Sequence, residues 1–135
     1  MVEQINACII VPTYNNEKTL ARVLDGVLQY GQSRSVIVVN DGSTDSTSVI
    51  LKKYSDRIQV ISYAQNQGKG YALKKGFALA IEQGFDNAIT IDSDGQHLPD
   101  DIPLFVEQAR RHPKALLMGS RNFNQEGIPT KNSFG

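Results

Sequence analysis

Two carboxylates stand two residues apart in the run Asp92-Ser93-Asp94-Gly95-Gln96. Carboxylates this close repel each other unless water solvates them, one takes up a proton, or a cation bridges them. Hard oxygen donors suit Mg²⁺ or Mn²⁺, which keep several waters and take phosphate oxygens as further ligands. Asp92 and Asp94 are therefore candidate metal ligands, and Gln96 adds a neutral oxygen two residues after Asp94. The pattern is short, and an Asx-rich turn that only caps the next helix would use the same residues.

Other short runs carry the same ambiguity. Asp41-Gly42-Ser43-Thr44 suits a turn and helix cap, or a carboxylate that accepts from a nucleobase N–H or a ribose hydroxyl. Tyr14 suits a ring covering the end of a sheet, or a platform for a base. Gly68-Lys69-Gly70 opens a helical stretch, where backbone N–H groups and a cation suit a diphosphate. It lacks the G-x-x-x-x-G-K-[ST] spacing of a Walker A loop, and a solvated lysine is its plainer reading. His97 and Arg121 are each, taken alone, a loop residue and a surface charge.

The elements that must position these residues are legible as an alternation. Residues 7–11, 35–39, 58–62, 87–91 and 115–118 are short apolar runs that suit strands, the first two buried on both faces. Between them lie helical periods. Leu20, Val23, Leu24, Val27 and Leu28 share one face, with Asn15 or Asn16 as the expected cap and Gly31 as the stop. A second helix is expected over 44–54, capped by Ser43 or Thr44. A third is expected over 69–84, with Leu73, Phe77 and Ile81 aligned. A fourth is expected from Pro99 to Pro113, burying Ile102, Phe105, Val106 and Ala109. Such alternation predicts a three-layer α/β/α sandwich around a mainly parallel sheet. Ligands then bind beyond the carboxyl ends of the strands, where strand order reverses. Each run singled out above follows an expected strand, so all of them should meet on one rim.

Composition narrows the partners. The 135 residues carry 14 Lys plus Arg against 14 Asp plus Glu, so no net charge favours nucleic acid or an anionic membrane. A single cysteine, Cys8 in an apolar run, cannot staple the fold, and no Cys/His cluster suggests zinc. Residues 1–11 lack the charged-then-apolar order of a signal peptide, and no apolar run reaches the roughly 18 residues of a membrane span. A cytoplasmic location is expected.

Taken together and in order, the motifs are far more specific than any one alone. Val11-Pro12-Thr13-Tyr14-Asn15, Val38-Val39-Asn40-Asp41-Gly42-Ser43-Thr44-Asp45, Asn66-Gln67-Gly68-Lys69-Gly70, Asp92-Ser93-Asp94-Gly95-Gln96-His97-Leu98-Pro99 and Gly119-Ser120-Arg121 span almost the whole chain. With them the chain resembles the family 2 glycosyltransferases, within the dolichol-phosphate (polyprenyl-phosphate) mannosyltransferase-like branch. Gln96-His97 after the acidic pair points to that branch. The resemblance implies a Rossmann-like GT-A domain over 1–121, with an irregular tail over 122–135. It implies nucleotide contacts from Pro12, Thr13, Tyr14, Asp41, Lys69, Asp92 and Ser93. It implies a metal on Asp92, Asp94 and Gln96, and a sugar or phosphate contact from Arg121.

The implied reaction is inverting transfer of a sugar from a nucleoside-diphosphate sugar, assisted by Mg²⁺ or Mn²⁺, to a sugar or lipid-phosphate acceptor. A sugar hydroxyl would need a general base, and no residue here is assigned to that role. The branch often reads P-x-Y-N-E, whereas here Asn16 holds the last position and Glu17 follows it. Guanine and uracil both stay open as the base. The resemblance also implies an acceptor-binding half beginning near Asn132-Ser133-Phe134-Gly135, so the chain is expected to be a truncated, donor-binding half. In the full-length protein it would lie at the cytoplasmic face of a membrane, and exposed edges would permit a homo-oligomer. A non-catalytic nucleotide-sugar-binding module is the alternative. A sugar nucleotidyltransferase would carry a Gly-rich basic loop after the first strand, and a receiver domain would carry acids there. Pro12-Thr13-Tyr14-Asn15 has neither.

Overall fold

The computed structural model describes residues 2–94 and 99–111, and the backbone of 120–122. Strands β1 (Ala7–Thr13), β2 (Val36–Asp41), β3 (Gln59–Tyr63), β4 (Asn87–Thr90) and β5 (Ser120–Asn122) alternate with helices. The helices are α1 (Leu20–Val27), α2 (Thr47–Lys53), α3 (Lys69–Glu82) and α4 (Ile102–Arg111). The sheet runs in the order β3-β2-β1-β4-β5. The first four strands are parallel to one another, and β5 is antiparallel to β4.

Every residue of β1 is buried, because helices cover both faces of the sheet. Side chains alternate across a strand, so neighbouring residues serve different layers. Ala7, Ile9 and Val11 join Val36, Val38 and Ile89 beneath Leu20, Val23, Leu24 and Val27 of α1 and Ile102 and Val106 of α4. Cys8, Ile10, Ile37, Val39 and Ala88 form the opposite core with Ala72, Leu73, Phe77 and Ala80 of α3. These two clusters make the three-layer sandwich. Each fully buried Ile or Leu contributes about 1.5–3 kcal/mol, so truncating Ile9 or Ile10 at the centre would strike one core each. The Cys8 thiol lies in the second core, where burial pushes its pKa up to about 12, far from any reactive thiolate.

Chain order reverses between β1 and β4, since β2 and β3 extend to one side and β4 to the other. That opens a crevice beyond the carboxyl ends of β1 and β4.

Several local expectations change. Ile81 is 57% exposed, and Ala80 takes the buried position on α3. From Leu73 and Phe77 the core-facing stripe continues at i+7 (Ala80) rather than i+8 (Ile81). Asn15 and Asn16 do not cap α1 with their side chains, and its N-cap Thr19 makes no side-chain cap bond. Helix α2 begins at Thr47, later than expected, and Ser43 and Thr44 belong to the preceding turn. An expected strand at 115–118 lies outside the described residues. The described fifth strand is Ser120–Asn122, so Ser120 and Arg121 stand within a strand and not after one. Among the described residues, no helix is long and apolar enough to cross a membrane.

Candidate functional site

The loops after β1 and β2 clasp each other at the crevice. Asn15 adopts φ 52°, a left-handed backbone that Asn tolerates better than most residues. Its Oδ1 accepts from the backbone N–H of Thr44 at 2.7 Å, and its own N–H donates to Ser43 Oγ at 3.0 Å. The Glu17 N–H donates to Asp45 Oδ2 at 3.2 Å, while Glu17 Oε2 accepts from the Ser46 N–H at 3.3 Å. Asp45 Oδ1 also accepts from the Thr47 N–H at 2.9 Å, so α2 is capped by Asp45 and by Glu17 of the neighbouring loop. Burial would raise the Asp45 carboxyl. The Thr47 hydroxyl and the backbone N–H groups of Thr47 and Glu17 outweigh it and hold that carboxyl below its ordinary value. Glu17 thus serves the neighbouring helix, and Asn16 turns toward the crevice.

The end of β4 is tied to the end of β1 through Ser93. Its buried hydroxyl donates to the Pro12 carbonyl at 3.0 Å and accepts from Asn16 Nδ2 at 2.6 Å. Thr19 Oγ1 donates to the Ser93 carbonyl. Ser93 therefore acts on the shape of the rim, and its hydroxyl is already engaged.

Asp41, at the end of β2, is buried at 3% exposure. Its carboxylate organises the connection from β3 to α3. Oδ1 accepts from the Gln67 N–H at 2.8 Å. Oδ2 accepts from the Gly68 N–H at 3.0 Å and from Asn66 Nδ2 at 2.8 Å. Three charge-assisted bonds offset the cost of burying the carboxylate. Tyr63 stands in register beside Asp41, and its buried hydroxyl makes no hydrogen bond of ordinary geometry. Burial, and then the neighbouring Asp41 carboxylate, push the phenol well above its usual pKa.

Lys69 begins α3 and reaches across the crevice. Its ammonium lies 2.7 Å from Asp92 Oδ1, joining the two ends of the candidate phosphate and metal set. Asp94 is exposed beside them.

These residues enclose one cavity of ≈ 400 Å³. Pro12, Thr13, Tyr14, Asp41, Lys69, Asp92, Ser93 and Asp94 all line it, so eight of the sequence-derived site residues converge. Thr13 is 2% exposed, and its buried Oγ1 has no hydrogen-bond partner among the described residues. Tyr14 is 45% exposed, as a ring must be to stack on a base.

Two expected residues are not in this group. Gln96, like His97, lies outside the described residues. The Arg121 backbone is paired in register with Ala88, toward the amino end of β4, and its side chain lies outside the described residues. Residues that the sequence did not place in the site line the cavity too: Asn16, Asn66 and Ala72. Asn66 lay inside a motif already singled out. Asn16 had no local signal, because its partner Ser93 is 77 residues away.

Among the described residues, no three His, Cys, Asp or Glu side chains cluster to hold a metal ion by themselves. Asp92 and Asp94 nonetheless fit a hard divalent cation. Mg²⁺ typically takes one or two carboxylates and draws its other ligands from water and substrate phosphates.

The pattern defining glycosyl transferase family 2 matches residues 8–133, nearly the whole chain. The chain belongs to that family. It is 34% identical over 128 residues to a UDP-N-acetylglucosamine–dolichyl-phosphate N-acetylglucosaminyltransferase of Methanococcus voltae, covering 84% of this chain and 51% of that protein. It resembles the crystal structure of S. aureus TarS 1-349 in complex with UDP-GlcNAc, with TM-score 0.63 and 27% identity over 91% of this chain and 36% of that one. Glucosyl-3-phosphoglycerate synthase from Mycobacterium tuberculosis, solved with Mn²⁺, UDP and glucosyl-3-phosphoglycerate, matches at TM-score 0.57 and 26% identity, over 75% of this chain and 38% of that one. The α/β, Rossmann-like GT-A architecture expected from the resemblance stands. This family 2 chain spans about half the length of the curated relatives it matches.

Proposed function

We propose that this chain forms the donor-binding part of a glycosyltransferase that takes its sugar from a UDP-sugar, with Mg²⁺ or Mn²⁺, and passes it to a polyprenyl phosphate. One observation carries the reading. A single cavity at the chain-reversal point holds a buried carboxylate, Asp41, and the ion-paired acidic run of Asp92 and Asp94. Those are the recognition groups for a base or ribose and for a diphosphate–metal unit.

The state of Asp41 favours uracil over guanine. A carboxylate offers about four acceptor positions, and Asn66, Gln67 and Gly68 fill three. At most one position remains for a ligand, beside the buried Tyr63 hydroxyl. Uracil presents one N–H on its pairing edge, whereas guanine presents an N–H and an amino group side by side and would leave one donor unpaired. Similar proteins named or solved with UDP or UDP-GlcNAc support the same choice.

Within the cavity, Tyr14 would cover the base. Lys69 and the amino end of α3 would face the diphosphate. Asp92 and Asp94, with Gln96, would hold the cation, which supplies positive charge where the departing UDP becomes more negative. A polyprenyl phosphate brings an oxygen that is already anionic, so this acceptor needs no protein base. Attack from the face opposite the leaving group inverts the anomeric carbon.

Calorimetry with UDP and GDP, each with Mn²⁺, tests the reading. UDP binds more tightly than GDP, and the Asp92→Asn/Asp94→Asn double variant loses at least tenfold of the Mn²⁺-dependent affinity. Absence of UDP binding by the wild type, or undiminished binding by the double variant, would overturn the site. Transfer of radiolabelled sugar from a UDP-sugar to a polyprenyl phosphate tests the acceptor.

A further inference from the structure

Lys69 stands where a lysine is poorly placed for helix stability. It is the first residue of α3, and the positive end of a helix dipole disfavours a cation there. Its ammonium is held instead by Asp92 Oδ1 at 2.7 Å. The aspartate side chain is only 17% exposed, so water screens this pair less than a pair at the open surface. Lys69, Asp92 and Asp94 line the same cavity. An ammonium and a divalent cation would therefore draw on one carboxylate, and their like charges oppose joint occupation.

We infer that Lys69 is a positioning residue: a resident counter-ion that holds Asp92 against premature metal binding and releases it when a nucleoside diphosphate arrives. The inference rests on the donor-site reading above. The first intrahelical bond of α3 runs from the Ala72 N–H to the Gly68 carbonyl, so the N–H groups of Lys69, Gly70 and Tyr71 precede it. A diphosphate at that end takes those donors and the Lys69 ammonium together. Asp92 then passes from the ammonium to the cation that the diphosphate brings. Metal binds weakly alone and tightly with nucleotide. By thermodynamic reciprocity, the nucleotide gains from the metal by the same factor.

The test is Mn²⁺ binding, read from the electron paramagnetic resonance signal of free Mn²⁺, with and without saturating UDP. It compares wild type, Lys69→Met, Lys69→Arg and Lys74→Met. Lys74 is an exposed lysine of the same helix and does not line the cavity, so it controls for net charge. Without UDP, Lys69→Met binds Mn²⁺ more tightly than wild type, by roughly two- to fivefold for an ion pair of this kind. Lys69→Arg and Lys74→Met stay near wild type. The factor by which UDP tightens Mn²⁺ binding shrinks in Lys69→Met by a similar amount. Unchanged Mn²⁺ affinity in Lys69→Met, or equal tightening in Lys74→Met, overturns the inference while leaving the donor site intact. Failure of the wild type to bind Mn²⁺ even with UDP overturns the donor-site reading, and the inference with it.

Discussion

A Cβ added to Gly42 would run into the backbone nitrogen of Asn66 and the carbonyl carbon of Gln65. The connection from β3 to α3 therefore crosses directly on Gly42, which itself holds φ +68°. This close approach lets Asn66, Gln67 and Gly68 deliver their three donors to Asp41, one residue earlier.

Gly42→Ala should accordingly damage both the fold and the cavity. The new methyl meets backbone, which cannot swing aside as a side chain would, and alanine is strained at positive φ. A loss of about 2 kcal/mol or more is expected by urea denaturation, together with at least a tenfold loss of UDP affinity under conditions where the variant stays folded. An alanine variant with wild-type stability and UDP binding would show that the crossing is looser than described.

Asp41→Asn separates charge from shape. The amide keeps the size of the carboxylate but turns one acceptor into a donor that faces N–H groups. Leaving buried donors unpaired costs about 1–3 kcal/mol, so the midpoint of urea unfolding should fall. The discrimination of UDP over GDP should weaken as well, because the remaining acceptor position is lost or reoriented. A variant that keeps both stability and discrimination would remove Asp41 from base recognition.

Acid should weaken the clasp between the first two loops. The Asp45 carboxyl is held below its ordinary value in the fold. A depressed folded-state pKa contributes stability that is full above the unfolded pKa, near 4, and is lost as pH falls through the lower, folded value. Asp45→Asn, which weakens the bonds from Glu17 and Thr47, should cost about 1 kcal/mol at neutral pH, as loss of a cap does. That difference should close as pH falls through the lowered folded-state value of Asp45, since the wild type then protonates the same group. Urea midpoints at pH 7 and at low pH measure it. A gap that stays constant across that range would mean Asp45 contributes through shape alone.

The order of elements and most of the rim were legible in the sequence, because both are local properties. Buried strands announce themselves as unbroken apolar runs such as 7–11, and parallel α/β order forces the residues after each strand onto one edge. Pro12, Tyr14, Asp41, Lys69, Asp92 and Asp94 could be found without coordinates for that reason. Where the choice was between near-equal local options, tertiary packing made it. Ala80 rather than Ile81 enters the core, and Glu17 leaves the crevice to cap α2 while Asn16 takes its side. Register did the same for the Arg121 backbone, which an antiparallel fifth strand pairs with Ala88. The acidic run at 92–94 carried only the type of chemistry. Contacts between residues distant in the chain decided that Lys69 holds Asp92 and that the loop at 66–68 has already filled three acceptor positions of Asp41. Periodicity within one segment has no access to such pairings, which exist only once the chain has folded.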